Sequence, residues 1–241
     1  MRSLRLAVTI GALASWTSLA QAELPPIPPE LQPLHQKARE QFEQGNFVGA
    51  EATYRKLVTQ APNDVRSISN LGVTLFRLNK YEEAEEQFKK SLTVSPDDEF
   101  SYRLLGIVYY TQGRHVLARK SIEQAIRLDP KDSIAHNYLG INASQMGSNE
   151  EAADELKTAV GLDGAYSDAY FNLSIVLLLK PKPELENARG YYERSIKLGA
   201  EPDAALEQLL GVADGNGIRM VTKPLTPQDV ERLRATLLAR R

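Results

Sequence analysis

Pro62, Pro96 and Pro130 stand 34 residues apart, Ala50, Ala84, Ala118 and Ala152 keep the same step, and so do Gly72, Gly106 and Gly140. A period held by three residue types restricts the fold more than composition does. One supersecondary unit must stack on the next, because a single short unit cannot bury its own apolar face. The recurring text runs SNLGVTLFRLNKYEEAEEQFKKSLTVSPDD, then YRLLGIVYYTQGRHVLARKSIEQAIRLDPKD, then HNYLGINASQMGSNEEAADELKTAVGLDGAY.

Each unit reads as two helices. Ile68, Leu71, Leu75 and Leu78 recur at helical spacing on the first, and Ala84, Phe88 and Leu92 on the second. Asn79, Gly113 or Gly147 marks the turn between them. Gly72, Gly106 and Gly140 fall inside first helices, where glycine costs about 0.5–1 kcal/mol relative to alanine. That cost is recovered only if a neighbouring helix approaches too closely for a side chain. Each proline ends a second helix, since it lacks an amide proton and restricts the residue before it. These are packing residues rather than chemical ones.

The Leu-Gly pair of the first helix, the alanine of the second and the closing proline resemble the tetratricopeptide repeat. The match is close over 65–98 (Leu71-Gly72, Leu75, Ala84, Phe88, Pro96) and over 99–132 (Leu105-Gly106, Tyr109, Ala118, Ala125, Pro130). Unit 133–166 keeps Leu139-Gly140, Ala152 and Ala159 but has Gly164 for the proline, and unit 31–64 has Lys37-Ala38 for Leu-Gly while keeping Gly45, Ala50, Tyr54 and Pro62. The fifth unit, 167–202, has Leu173-Ser174 and carries two extra residues within Lys180-Pro181-Lys182-Pro183, after which Ala188 and Tyr192 return to register. Pro183 is expected to open its second helix, with Glu184 and Glu186 near the start. The end of this unit is also similar to the last repeat of exported bacterial tetratricopeptide proteins. The resemblance implies an all-α fold, a right-handed superhelical solenoid of antiparallel helix pairs.

The flanks carry their own signals. Met1, Arg2 and Arg5 precede the apolar stretch LAVTIGALASWTSLA, and Ala20-Gln21-Ala22 has the small-x-small form that a signal peptidase cuts after. Residues 1–22 are expected to be a signal peptide, with a buried N-terminal helix as the alternative, and the mature chain to be secreted or periplasmic. Residues 23–30, with Pro25, Pro26, Pro28 and Pro29, read as an extended leader, or alternatively as a ligand for a proline-reading module. Beyond the repeats, 203–241 reads as a capping helix from Asp203 to Leu210, a glycine-rich loop at 211–221, and a final helix. Thr226 is the expected N-cap of that helix, Pro227 its first residue, and Val230, Leu233, Leu237 and Leu238 its apolar face.

Little invites catalysis. With no cysteine there is no thiol chemistry, disulfide or cysteine-linked lipid. His35, His115 and His136 share no metal-ligand spacing, and GNG at 215–217 has neither the lysine-hydroxyl pair nor the preceding strand of a phosphate loop. Glu82, Glu83, Glu85 and Glu86 read as a solvated face. A net charge of −2 argues against nucleic acid, and the N-terminal apolar stretch is too short for stable membrane insertion. The expectation is no enzyme, no cofactor and no metal.

What remains is a surface. In tetratricopeptide folds the first helices line a concave face. The resemblance places on it Arg66, Ser69, Phe76, Arg77, Arg103, Ile107, Tyr110, Asn137, Ile141, Gln145 and Phe171. Such a mixture of aromatic, aliphatic and cationic side chains suits a protein or an extended peptide. The same side chains have a second reading, as packing between helices or as solvated arginines. The expected function is a non-enzymatic protein- or peptide-binding scaffold or adaptor in a bacterial cell envelope. The alternatives are a structural or self-associating module, using the fifth unit and the 226–241 helix, and an accessory subunit of an envelope enzyme complex.

Overall fold

The computed structural model describes residues 26–211 and 225–239. The expected signal peptide and most of the glycine-rich loop lie outside these residues. The chain is an all-α solenoid of antiparallel helix pairs. The pairs are α1 (Gln32–Glu43) with α2 (Phe47–Gln60), α3 (Val65–Arg77) with α4 (Tyr81–Val94), and α5 (Glu99–Thr111) with α6 (His115–Leu128). They continue as α7 (Ser133–Gln145) with α8 (Asn149–Leu162) and α9 (Ser167–Leu179) with α10 (Leu185–Lys197). Two further helices follow, α11 (Ala204–Leu210) and α12 (Pro227–Ala239). The chain divides within α5 into two compact units, one ending at Val108 and the other starting at Tyr109.

The alanine of each second helix explains how closely the pairs pack. Ala50, Ala84, Ala118, Ala152 and Ala188 are all completely buried. Ala188 keeps its place because the two extra residues are taken up between α9 and α10. The expected helix start moves, however. Pro183 is exposed outside the helix, and Glu184 takes the N-cap of a helix beginning at Leu185. The Glu184 amide donates to the Leu177 carbonyl at 3.1 Å, which ties the connection back to α9 and delays α10.

Gly72 and Gly140 behave as the cost argument requires. A Cβ built on Gly72 would lie 2.8 Å from the Phe88 ring, and one on Gly140 would lie 2.7 Å from Leu156 and 3.0 Å from the Ala152 carbonyl oxygen. The turns at Gly45, Asn79, Gly113 and Gly147 all adopt positive φ, Asn79 at 58°. Asparagine tolerates that region better than any bulky residue.

A second periodic signal sits beside the prolines. Asp64 and Asp132 cap the first helices that follow them, accepting from the Ser67 amide and from the Ile134 and Ala135 amides. Asp98 stands one period after Asp64, ahead of α5. The residues before Pro96 and Pro130 are extended, Ser95 at φ −129° and Asp129 at φ −129°, yet Asp163 before Gly164 adopts φ −128°. The conformation belongs to the repeat, and proline reinforces it.

Candidate functional site

In the first unit, Asp64 organises the start of α3. Its carboxylate accepts from the Ser67 hydroxyl at 2.6 Å and lies 3.2 Å from His35 Nε2 and 3.3 Å from Arg66 Nε. Burial alone would raise this carboxyl, but the His35 and Ser67 hydrogen bonds and the Arg66 charge outweigh it and hold it well below the usual range. Arg66 is therefore half-buried and already paired. At the other end of α3, the Arg77 guanidinium lies 4.7 Å from the centre of the Phe47 ring, and the Phe76 ring lies 5.5 Å from that of Tyr81. Arg103 on α5 stands 5.3 Å from the Phe100 ring. These four side chains, Arg66, Phe76, Arg77 and Arg103, are partly exposed.

Ser69 and Ile107 are not. Ser69 is buried in a hydroxyl chain, with its Oγ 2.8 Å from Ser91 Oγ and 3.0 Å from Ser101 Oγ. Ser91 donates on to Asp98 at 3.3 Å, and burial pushes the Asp98 carboxyl up against the pull of those serines. Ile107 is part of the apolar core.

In the second unit four of the five candidates are buried. Tyr110 is fully buried, with the His115 ring 5.8 Å away and that of Tyr138 6.0 Å away. Ile141 is fully buried, and Asn137 is a buried acceptor for Asn172 Nδ2 at 3.0 Å. Phe171 is fully buried with its ring 5.7 Å from that of Tyr192. Gln145 alone stays partly exposed, and its amide donates to the Arg234 carbonyl of α12 at 3.4 Å. The final helix thus lies on α9, with Leu233 and Leu237 buried. Its start is as expected: the Asp229 amide donates to Thr226 Oγ1 at 3.2 Å, and Asp229 accepts from the Thr226 amide at 2.8 Å.

Second helices are joined by charge. Glu51 accepts from Arg55 at 2.9 Å and from Lys80 at 2.8 Å, Arg55 also reaches Glu83, and Arg119 bridges Glu123 and Glu151. Glu83, expected only to face solvent, is an inter-repeat partner. Among the described residues no three His, Cys, Asp or Glu side chains are grouped to hold a metal ion, and no helix is long and apolar enough to cross a membrane.

The fold is that of a helical repeat protein built from stacked antiparallel pairs. Tetratricopeptide repeat models match residues 66–131 and 139–205, more than half of the chain, and the chain belongs to the tetratricopeptide repeat proteins. No curated protein sequence matches it. Among solved structures, PilF of Pseudomonas aeruginosa is similar with a TM-score of 0.67 at 19% identity, over 85% of this chain and 87% of that one. MamA from Desulfovibrio magneticus RS-1 is similar with a TM-score of 0.62 at 18% identity, over 72% and 97%. YrrB, described as a TPR protein with an unusual peptide-binding site, gives 0.56 at 21% identity, over 73% and 89%. At such identities the likeness is one of fold.

Proposed function

We propose that the protein is an exported, non-enzymatic scaffold of a bacterial cell envelope that binds an extended, acidic segment of another protein. The observation that carries this reading is the pair Arg77 and Arg103, each partly exposed and each set against an aromatic ring of the first unit. A guanidinium steadied by a ring loses less freedom on meeting a carboxylate than a solvated lysine would. Support for export comes from the charged, apolar and small-x-small order of residues 1–22. The peptide-binding site of YrrB, on the same fold, supports the kind of ligand.

The test is capture from an envelope extract by the mature chain, 23–241, beside an R77A/R103A variant. Tyr110 is left intact because its burial makes it a folding residue. A protein captured by the wild type and lost by the variant, with unchanged circular dichroism, is the expected result. Equal capture by both chains removes the arginine face from the mechanism.

A further inference from the structure

Asn142 and Met146 stand one helical turn apart at the end of α7, with Met146 as its C-cap, and both depart from the repeat. One period before Asn142 lies Val108, and the two are equally buried, with no exposed surface. The place of Met146 is taken by Gln112 one period earlier and by Gln44 three periods earlier.

An amide buried where another unit has valine costs desolvation unless its atoms are paired. The His115 carbonyl settles which way this one lies, because a carbonyl can only accept. Asn142 Nδ2 donates to it at 3.1 Å, so Oδ1 faces His115 Nδ1 at 2.9 Å. The nitrogen carries a second N–H, and its remaining partner is Met146 Sδ at 3.7 Å. A thioether is a weak acceptor. Met146 itself is 44% exposed, so solvent reaches the side chain whose sulfur this buried donor meets.

We propose that Met146 is a site of reversible oxidation, at which a peroxide turns the thioether into a sulfoxide and Asn142 receives the new oxygen. The sulfur gives an electron pair to one oxygen of hydrogen peroxide, the O–O bond breaks and an S–O bond forms. The proton left on the transferred oxygen passes to the departing hydroxide. Sulfur is oxidised by two electrons and the peroxide is reduced to water.

Such a change ordinarily damages a fold, because it makes an apolar side chain polar. Here the side chain is partly in solvent, and Gln44 and Gln112 place an oxygen-bearing side chain at the same point of the repeat. Rotation of the exposed side chain brings the new oxygen onto Nδ2. A weak acceptor is exchanged for a strong one, beside the contact that joins α7 to the start of α6. The inference goes beyond the scaffold reading and does not depend on it.

The probe is dilute hydrogen peroxide, applied to the mature chain, 23–241, carrying M220L so that Met146 is its one remaining methionine. Peptide mapping should place one added oxygen on Met146. The side-chain amide proton of Asn142 should move downfield in the NMR spectrum and return when methionine sulfoxide reductases act on the chain. The melting temperature should rise by about 2–4 °C, the shift that one added hydrogen bond gives a chain of this size. M146Q, which supplies an oxygen acceptor without any oxidant, should move the same resonance in the same direction, and M146L should not respond to peroxide.

Met146 left intact while free methionine in the same solution is oxidised overturns the proposal. So does a sulfoxide that leaves the Asn142 resonance in place, or one that lowers the melting temperature.

Discussion

His136 Nδ1 lies 2.7 Å from a Glu155 carboxylate oxygen, while the Nε2 of the same ring lies 3.1 Å from the Pro130 carbonyl. Both ring nitrogens thus face acceptors, an arrangement that only the doubly protonated ring satisfies. The Glu155 hydrogen bond raises the His136 pKa and outweighs burial, with Pro130 and the Asp132 charge adding to it.

A raised folded pKa contributes stability that is complete below the unfolded value of about 6.5 and is lost as pH rises through the folded value. The melting temperature should therefore fall from pH 6 to pH 8.5 more steeply in the wild type than in H136Q. Parallel melting profiles would show that the imidazolium contributes nothing.

Asp64 works the opposite way. Its folded pKa is depressed, so its contribution is present above about pH 4 and disappears as pH falls through the folded value. D64N, which keeps the shape but not the charge, should lose stability at pH 7 and lose less of it below pH 3. Acid titration by circular dichroism compares the two chains.

Gly140→Ala should be worse than Gly72→Ala. Alanine gains up to about 1 kcal/mol of helix propensity at both positions. At Gly72 the obstacle is the edge of the Phe88 ring, whereas at Gly140 it includes the backbone carbonyl of Ala152. Backbone does not give way cheaply, and overpacking costs about 1–3 kcal/mol. Urea denaturation that ranks G72A as the more damaging would contradict this.

Ser69→Ala should cost about 1 kcal/mol through the broken hydroxyl chain and leave partner capture unchanged. Reduced capture by a chain of unchanged stability would return Ser69 to the binding face.

The repeat was legible because its signals are steric and recur. A glycine facing Phe88, an alanine with no exposed surface and a positive-φ turn each tolerate few residue types, so a fixed step exposes them. Asp64, Asp98 and Asp132 recur at that step too, a capping signal that the proline, alanine and glycine periods do not use. The faces were less legible. Tyr110, Ile141 and Phe171 suit a groove floor and a core equally well, and their burial and ring neighbours depend on contacts that residue type does not encode. The start of α10 was misplaced because Pro183 fits a first helical position, while the Glu184–Leu177 hydrogen bond depends on how the chain folds back.

The covering of α9 by α12 also has a consequence in time. A ribosome delivers Leu178 more than fifty residues before Leu233, an interval of several seconds at about 5–20 residues per second. Throughout it one oily side of α9 has been made and its own cover has not. The order of synthesis therefore opens an early period in which a helper protein, a translocation channel or a neighbouring nascent chain meets that surface first.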